Sequence, residues 1–247
     1  MFKKKKDEND IEEIDIEFQD AYAEEDIDVN VRAIMAEDYE NISLGKSILK
    51  EVWSWIKMIA IAGLTALFIS YFVIINATVP TGSMENTIMA ESRILGLRIA
   101  YMFSEPQRGD VVVFKYPLNE EENYVKRIIG LPGETVQIIN GEIYIYDKDN
   151  ELVDGPLYEP YLKEEVKDKK NYEFKIPEGK YLMLGDNRNY SADARRWLEY
   201  VESSPEKYGT DINIIYVDRE KILGKVYFMY WHKGLNFKWI DGVEIDY

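Results

Sequence analysis

The chain of 247 residues contains no cysteine. A disulfide framework, a thiol nucleophile and a thiolate metal site are therefore excluded. It contains one histidine, His232. That rules out a zinc site built from several histidines and leaves a Ser-His-Asp triad only His232 to use. Basic side chains are outnumbered by acidic ones, 30 to 46. The net charge is −16, and no part of the chain has the basic footprint of a nucleic-acid binder. No nucleic-acid partner is expected, and nothing signals a metal or an organic cofactor.

The acidity is uneven. Residues 1–45 carry fifteen acidic and five basic side chains, a balance of −10, which leaves −6 for the remainder. Aromatics are few there and no apolar period is sustained, so an acidic, disordered tail is expected over 1–45.

Charge of either sign is missing between Lys57 and Glu85. Met58 to Ile75 is long enough to cross a hydrocarbon core of about 30 Å at about 1.5 Å per residue, once its flanks are counted. A transmembrane helix is expected over 51–76. A cleaved signal peptide fits poorly, because the run begins far from the N-terminus. Lys46, Lys50 and Lys57 precede the run, and no Lys or Arg follows until Arg93. The positive-inside rule then leaves the N-terminus in the cytoplasm and residues 77–247 outside.

Beyond the run the chain reads as strands. Asp110–Tyr116, Tyr124–Gly130 and Lys225–Trp231 are apolar and end at turn signals. Val136–Ile139, Asn140-Gly141 and Glu142–Tyr146 form a hairpin signal with a tight type I′ turn. Residues 147–175 are polar and read as a surface excursion, after which Tyr181–Leu184 returns as a short strand. No strong helical period separates these strands, so the outer region is expected to be mainly antiparallel β.

Three features converge on chemistry. Ser83 sits in Pro80-Thr81-Gly82-Ser83-Met84, directly after the apolar run. Lys126 lies in an apolar strand beside Val125, Ile128 and Ile129. A polar turn, Gly185 to Arg195, follows an apolar strand. A serine hydroxyl is a poor nucleophile until a base takes its proton. A lysine in an apolar setting has a lowered pKa and can be that base where no histidine is near.

These residues make the sequence resemble the bacterial type I signal peptidases, membrane-bound Ser-Lys endopeptidases of peptidase family S26. The resemblance covers about 50 to 233. It is carried by Pro80–Met84, Arg108–Phe114, Tyr124–Glu134, Gly185–Arg195 and Ile222–Val226. It implies an antiparallel β catalytic domain with a smaller inserted β subdomain at about 134–178. Ser83 matches the nucleophile, Lys126 the general base, and Ser191 the hydroxyl that orients the lysine. Asp193 and Arg195 match a supporting pair, and the Ser83 N–H and Thr81 hydroxyl match the oxyanion hole. Val79, Met84, Ile88, Tyr124 and Val125 match residues lining shallow apolar substrate pockets. The implied substrates are secreted preproteins with signal peptides, cut beside the lipid bilayer of the plasma membrane with the secretion translocon nearby.

The sequence departs from the family at Asn86, where proline is usual, and at Ala194, where serine is common. An added stretch also runs from about 198 to 217. His232 is expected at the surface and outside the chemistry. Trp231, Phe237 and Trp239 are expected either to lean on the membrane or to belong to a C-terminal core. The competing readings are a LexA-like soluble Ser-Lys autoprotease, a histidine-triad hydrolase using His232, and a membrane-anchored β-domain that binds without catalysing.

Overall fold

The computed structural model describes residues 8–240. The chain divides into two compact units between Thr65 and Ala66. The first is helical. Helix α1 runs Glu8–Phe68, 61 residues. Its sequence has no proline, and glycine only at 45 and 63, so little opposes helix formation. Arg32 and Asp28, four residues apart, pair at 2.8 Å. The tail expected to be disordered thus differs from Glu8 onward, where it is helix. One helix among the described residues is long and apolar enough to cross a membrane, over Lys46–Val73.

The expected helix over 51–76 also ends differently. After Phe68 comes one π turn, Ile69–Val73, and then strand β1, Ile74–Val79. Val73, Ile74, Ile75, Thr78 and Val79 are β-branched and favour an extended chain. Strand β2, Ser92–Leu97, supplies the partner, with Ile74 opposite Leu97 and Val79 opposite Ser92.

The second unit is mainly antiparallel β, as expected. Its strands continue with β3 Val111–Tyr116, β4 Asn119–Gly130, β5 Thr135–Ile139 and β6 Glu142–Tyr146. There follow β7 Leu152–Asp154, β8 Tyr172–Lys175, β9 Lys180–Leu184, β10 Val217–Asp218, β11 Ile222–Trp231 and β12 Leu235–Trp239. The large sheet has the order β1-β2-β11-β3-β4-β9-β10, with β12 paired to β11. The small sheet has the order β7-β6-β5-β8. Asn140 and Gly141, between β5 and β6, both have positive φ, as the tight hairpin turn requires.

The large sheet is covered on both faces at β3. Val112 and Phe114 enter the larger core, and Val111 and Val113 the smaller, as strand alternation dictates. Two expectations are corrected here. The 147–175 excursion is not merely surface, because Leu157, Tyr161, Val166, Tyr172 and Phe174 are buried. Helices also separate the strands: α2, Ala194–Ser203, runs into the added stretch, and α3, Pro205–Tyr208, lies within it. Trp197 and Val201, one turn apart, bury the face of α2, and Asp193 caps its N-terminus by accepting from Arg195 N–H.

Candidate active site

Ser83 lies in a single 3-10 turn, Gly82–Met84, just past the end of β1. The Glu85 N–H donates to the Gly82 carbonyl at 3.1 Å, and the Ile88 N–H to the Met84 carbonyl at 2.7 Å. Lys126 projects from β4, where Val112 of β3 is its partner in the ladder. Lys126 Nζ lies 2.8 Å from Ser83 Oγ and 2.9 Å from the carbonyl oxygen of Val125. Lys126 is only 4% exposed. Burial pulls its pKa down from 10.5 to about 8, against the opposing pull of Asp193 and Asp186. Thr81 Oγ1 is 3.3 Å from Ser83 Oγ.

The polar loop Gly185–Arg195 packs on this pair. Asp193 is fully buried. Burial raises its pKa, but the Arg195 guanidinium and the Gly185 N–H outweigh that and hold it below the usual carboxylate value. Arg195 Nε and Nη2 reach the Asp193 carboxylate at 3.0 and 2.9 Å. Ser191 is buried beside the pair, yet its hydroxyl has no partner at hydrogen-bond geometry. Lys126 therefore takes Ser83 Oγ and the Val125 carbonyl as partners here, and the expected Ser191–Lys126 bond is not made. The loop needs glycine at 185: a Cβ there would come within 2.1 Å of Ser191 Oγ and 2.6 Å of the Ser83 carbonyl.

A cleft of about 410 Å³ opens over Ser83 and Lys126. Val79, Thr81, Tyr124 and Val125 line it, together with Tyr190 and Ala192 of the polar loop. Met84 and Ile88, expected in its walls, are absent from it. Both are 0% exposed and sit in the smaller core. The 3-10 turn and the Ile88-to-Met84 bond carry both side chains into that core.

A family profile described as signal peptidase, peptidase S26, matches residues 52–231. The chain belongs to that family. Curated relatives agree. Signal peptidase I of Rickettsia bellii (strain OSU 85-389) is 33% identical, over 63% of this chain and 69% of its own. Signal peptidase I of Rickettsia akari is 30% identical, over 85% and 90%. Signal peptidase IB of Staphylococcus aureus (strain COL) is 31% identical, over 74% and 91%. A solved signal peptidase I from Enterococcus faecalis V583 is 28% identical, covering 49% of this chain and 97% of that one, with a TM-score of 0.35. The activity of this chain is that of a signal peptidase.

Three features of this signal peptidase site went unread in the sequence. Arg127, next to Lys126, points to the other face of β4 and forms a buried pair with Asp186, with Nε–Oδ1 at 2.9 Å and Nη2–Oδ2 at 2.6 Å. The Thr87 hydroxyl also donates to Asp186. Asn187 ties the polar loop to the serine turn. The signal for Arg127 was its place in an apolar strand, where a second charge beside Lys126 needs a buried partner. Asp186 and Asn187 lie in the polar turn that matches the family, but nothing in the sequence marked their partners. His232 stands apart, its Nδ1 3.3 Å from Ser92 Oγ, and does not line the cleft. Trp231, Phe237 and Trp239 are exposed, so they are not C-terminal core residues.

Proposed function

We propose that this chain is a serine endopeptidase that removes signal peptides from secreted preproteins with Ser83 as nucleophile and Lys126 as general base. The observation that carries this reading is the 2.8 Å separation of Lys126 Nζ from Ser83 Oγ, with both side chains buried at the floor of the cleft. Neutral Lys126 takes the hydroxyl proton as Ser83 Oγ bonds to the carbonyl carbon of the scissile peptide. The oxyanion so formed accepts hydrogen bonds from the Ser83 N–H and the Thr81 hydroxyl. Donors of this kind act only when the charge appears and are worth about 3–4 kcal/mol each. Collapse breaks the C–N bond, and the Lys126 ammonium gives its proton to the leaving amine. A water molecule, deprotonated by the same lysine, then hydrolyses the acyl-enzyme and restores Ser83. Asp193, fixed by Arg195, and Ser191 shape the pocket behind the lysine.

In this reading the substrate lies extended in the cleft, with its small residues against Val79, Tyr124 and Val125. Lysines before the apolar helix place the N-terminus in the cytoplasm and the catalytic domain outside the plasma membrane, with the translocon nearby. Only ten positions separate Val73, the end of the apolar helix, from Ser83, which keeps the serine close to the bilayer along the chain.

The test is cleavage of a preprotein bearing an Ala-x-Ala site by detergent-solubilised full chain, comparing wild type with Ser83→Ala and Lys126→Ala. Cleavage after the second alanine, lost in both variants, is expected. Cleavage that survives either change overturns the assignment of the pair, and none by folded wild type favours a binding domain.

A further inference from the structure

Between β7 and β8 the chain passes through Glu159, Tyr161, Leu162 and Lys163, a stretch the chemistry above does not use. It touches three segments of the site. The first is the polar loop. The Glu159 carboxylate is gripped by both terminal nitrogens of Arg188, with Nη1–Oε2 at 3.1 Å, and the two side chains are 6% and 2% exposed. The Tyr161 hydroxyl donates to the same carboxylate at 2.7 Å. Arg188 in turn holds both ends of its loop: its Nε donates to the Gly185 carbonyl at 3.0 Å, and its own carbonyl accepts from Arg195 Nη2 at 2.8 Å.

The second segment is the strand that carries Lys126. The Tyr161 ring stacks 3.9 Å from the guanidinium of Arg127, the residue beside Lys126. The third is the turn that follows Ser83. Asn86 Nδ2 donates to the Tyr161 carbonyl at 3.0 Å, and Lys163 Nζ lies 2.5 Å from Glu85 Oε2. Asn86 is at φ +85°, a conformation closed to the proline usual in the family at this position.

We propose that Glu159–Lys163 is a strap that positions the catalytic pair, with Glu159 its principal positioning residue. The proposal rests on the Ser83–Lys126 reading. Packing alone would be served as well by apolar side chains, since a buried ion pair is weak as a source of stability. A fixed fork-to-carboxylate geometry instead sets the register of one loop against another. Here it fixes the loop bearing Ser191 and Asp193 against the serine and the lysine, where small displacements are costly to rate.

The test measures kcat, KM and the pH midpoint of kcat/KM for the full chain in detergent on an Ala-x-Ala preprotein. Glu159→Gln keeps the shape and removes the charge. Its kcat is expected to fall about ten- to a hundredfold with KM within about twofold. Its midpoint is expected to fall by a few tenths of a pH unit or more. The sign follows from the surrounding charges. Arg188 faces Glu159, Tyr161 and Asp193; Lys126 faces Asp193 and Asp186, with Arg127 beside it and Arg195 behind Asp193. Without Glu159, the Arg188 charge falls on Asp193, and less negative potential is left to keep Lys126 protonated. Lys163→Ala, at an exposed position, should lower kcat several-fold. A folded Glu159→Gln with wild-type kcat, or with reduced kcat at an unmoved midpoint, overturns the proposal and leaves the strap as packing. If Glu159→Gln does not fold, Tyr161→Phe and Lys163→Ala decide, and wild-type kcat and midpoint in both overturn it. Ser83→Ala and Lys126→Ala run alongside: activity in either sinks the catalytic pair itself, whereas failure of the strap leaves both inactive.

Discussion

The backbone N–H of Asn187 donates to the carbonyl of Ser83 at 3.1 Å, and its side-chain Nδ2 donates to the carbonyl of Gly82 at 2.9 Å. One residue of the polar loop thus fixes two consecutive peptides of the serine turn. The side-chain bond is worth about 1 kcal/mol net, and its loss frees the turn that aims Ser83 Oγ. Asn187→Ala should lower kcat about tenfold with little change in KM, because the defect lies in alignment. Steady-state kinetics on the Ala-x-Ala preprotein checks this. An unchanged kcat would mean that the backbone bond alone holds the turn.

Lys126 must be neutral to take a proton, and burial brings its pKa down to about 8. Activity should therefore rise with pH and reach half its plateau near that value in the free enzyme. Lys126→Arg should be inactive at every pH, since a guanidinium does not deprotonate in this range. The measurement is kcat/KM from mildly acidic to alkaline pH. A profile that stays low until pH exceeds 10 would contradict the desolvation of Lys126.

Met84 and Ile88 separate core from pocket. Both are fully buried beside Ile94, Val113 and Val226, away from the cleft. Met84→Ala should cost about 2–5 kcal/mol of stability through the cavity it leaves. It should leave the preference among small residues at the cleavage site unchanged. Denaturant unfolding gives the first quantity, and a substrate panel with Ala, Ser and Val before the cut gives the second. A shifted preference at normal stability would return Met84 to the pocket wall.

How much of this was legible in the sequence follows from the range of the forces involved. The strands around Lys126 and the Asn140-Gly141 hairpin announce themselves locally, through alternation and turn chemistry. Ser83 and Lys126 are legible because the stretches Pro80–Met84 and Tyr124–Glu134 match the family's motifs; a serine after a glycine turn, or a lysine in an apolar strand, does not mark a site by itself. Strand β1 was hidden because Ile74 and Ile75 continue an apolar run, and only their pairing with β2 makes them strand. Helix α2 was masked because its buried face, Trp197 and Val201, is a single turn long and shows no sustained period. The partners of Arg127, Glu159 and Asn187 lie 59, 29 and about 104 positions away in the chain, and no local pattern encodes a contact of that kind. The side of the serine turn on which Met84 falls depends on a single 3-10 turn, which the sequence marks only by Gly82.

The same buried lysine that serves the chemistry weakens the fold at neutral pH. In the unfolded chain its pKa is 10.5, and in the folded chain about 8. Below pH 8 both states carry the proton, and the folded state bears the cost of a buried ammonium, about 3 kcal/mol for a shift of this size. Between pH 8 and 10.5 the folded chain has lost the proton while the unfolded chain still binds it, so stability rises with pH across that window. Lys126→Met removes the charge and keeps most of the volume. The variant should be more stable than wild type at pH 7, and the difference should shrink towards zero as pH rises from 8 to 10.5. Raised tyrosine pKa values, such as those of Tyr116 and Tyr181, destabilise both proteins alike as pH rises beyond 10 and cancel in the difference. Denaturant midpoints for the pair at several pH values measure it. A constant gap would mean that Lys126 titrates alike folded and unfolded, and the 2.8 Å contact with Ser83 would then join a charged ammonium to a hydroxyl it cannot activate.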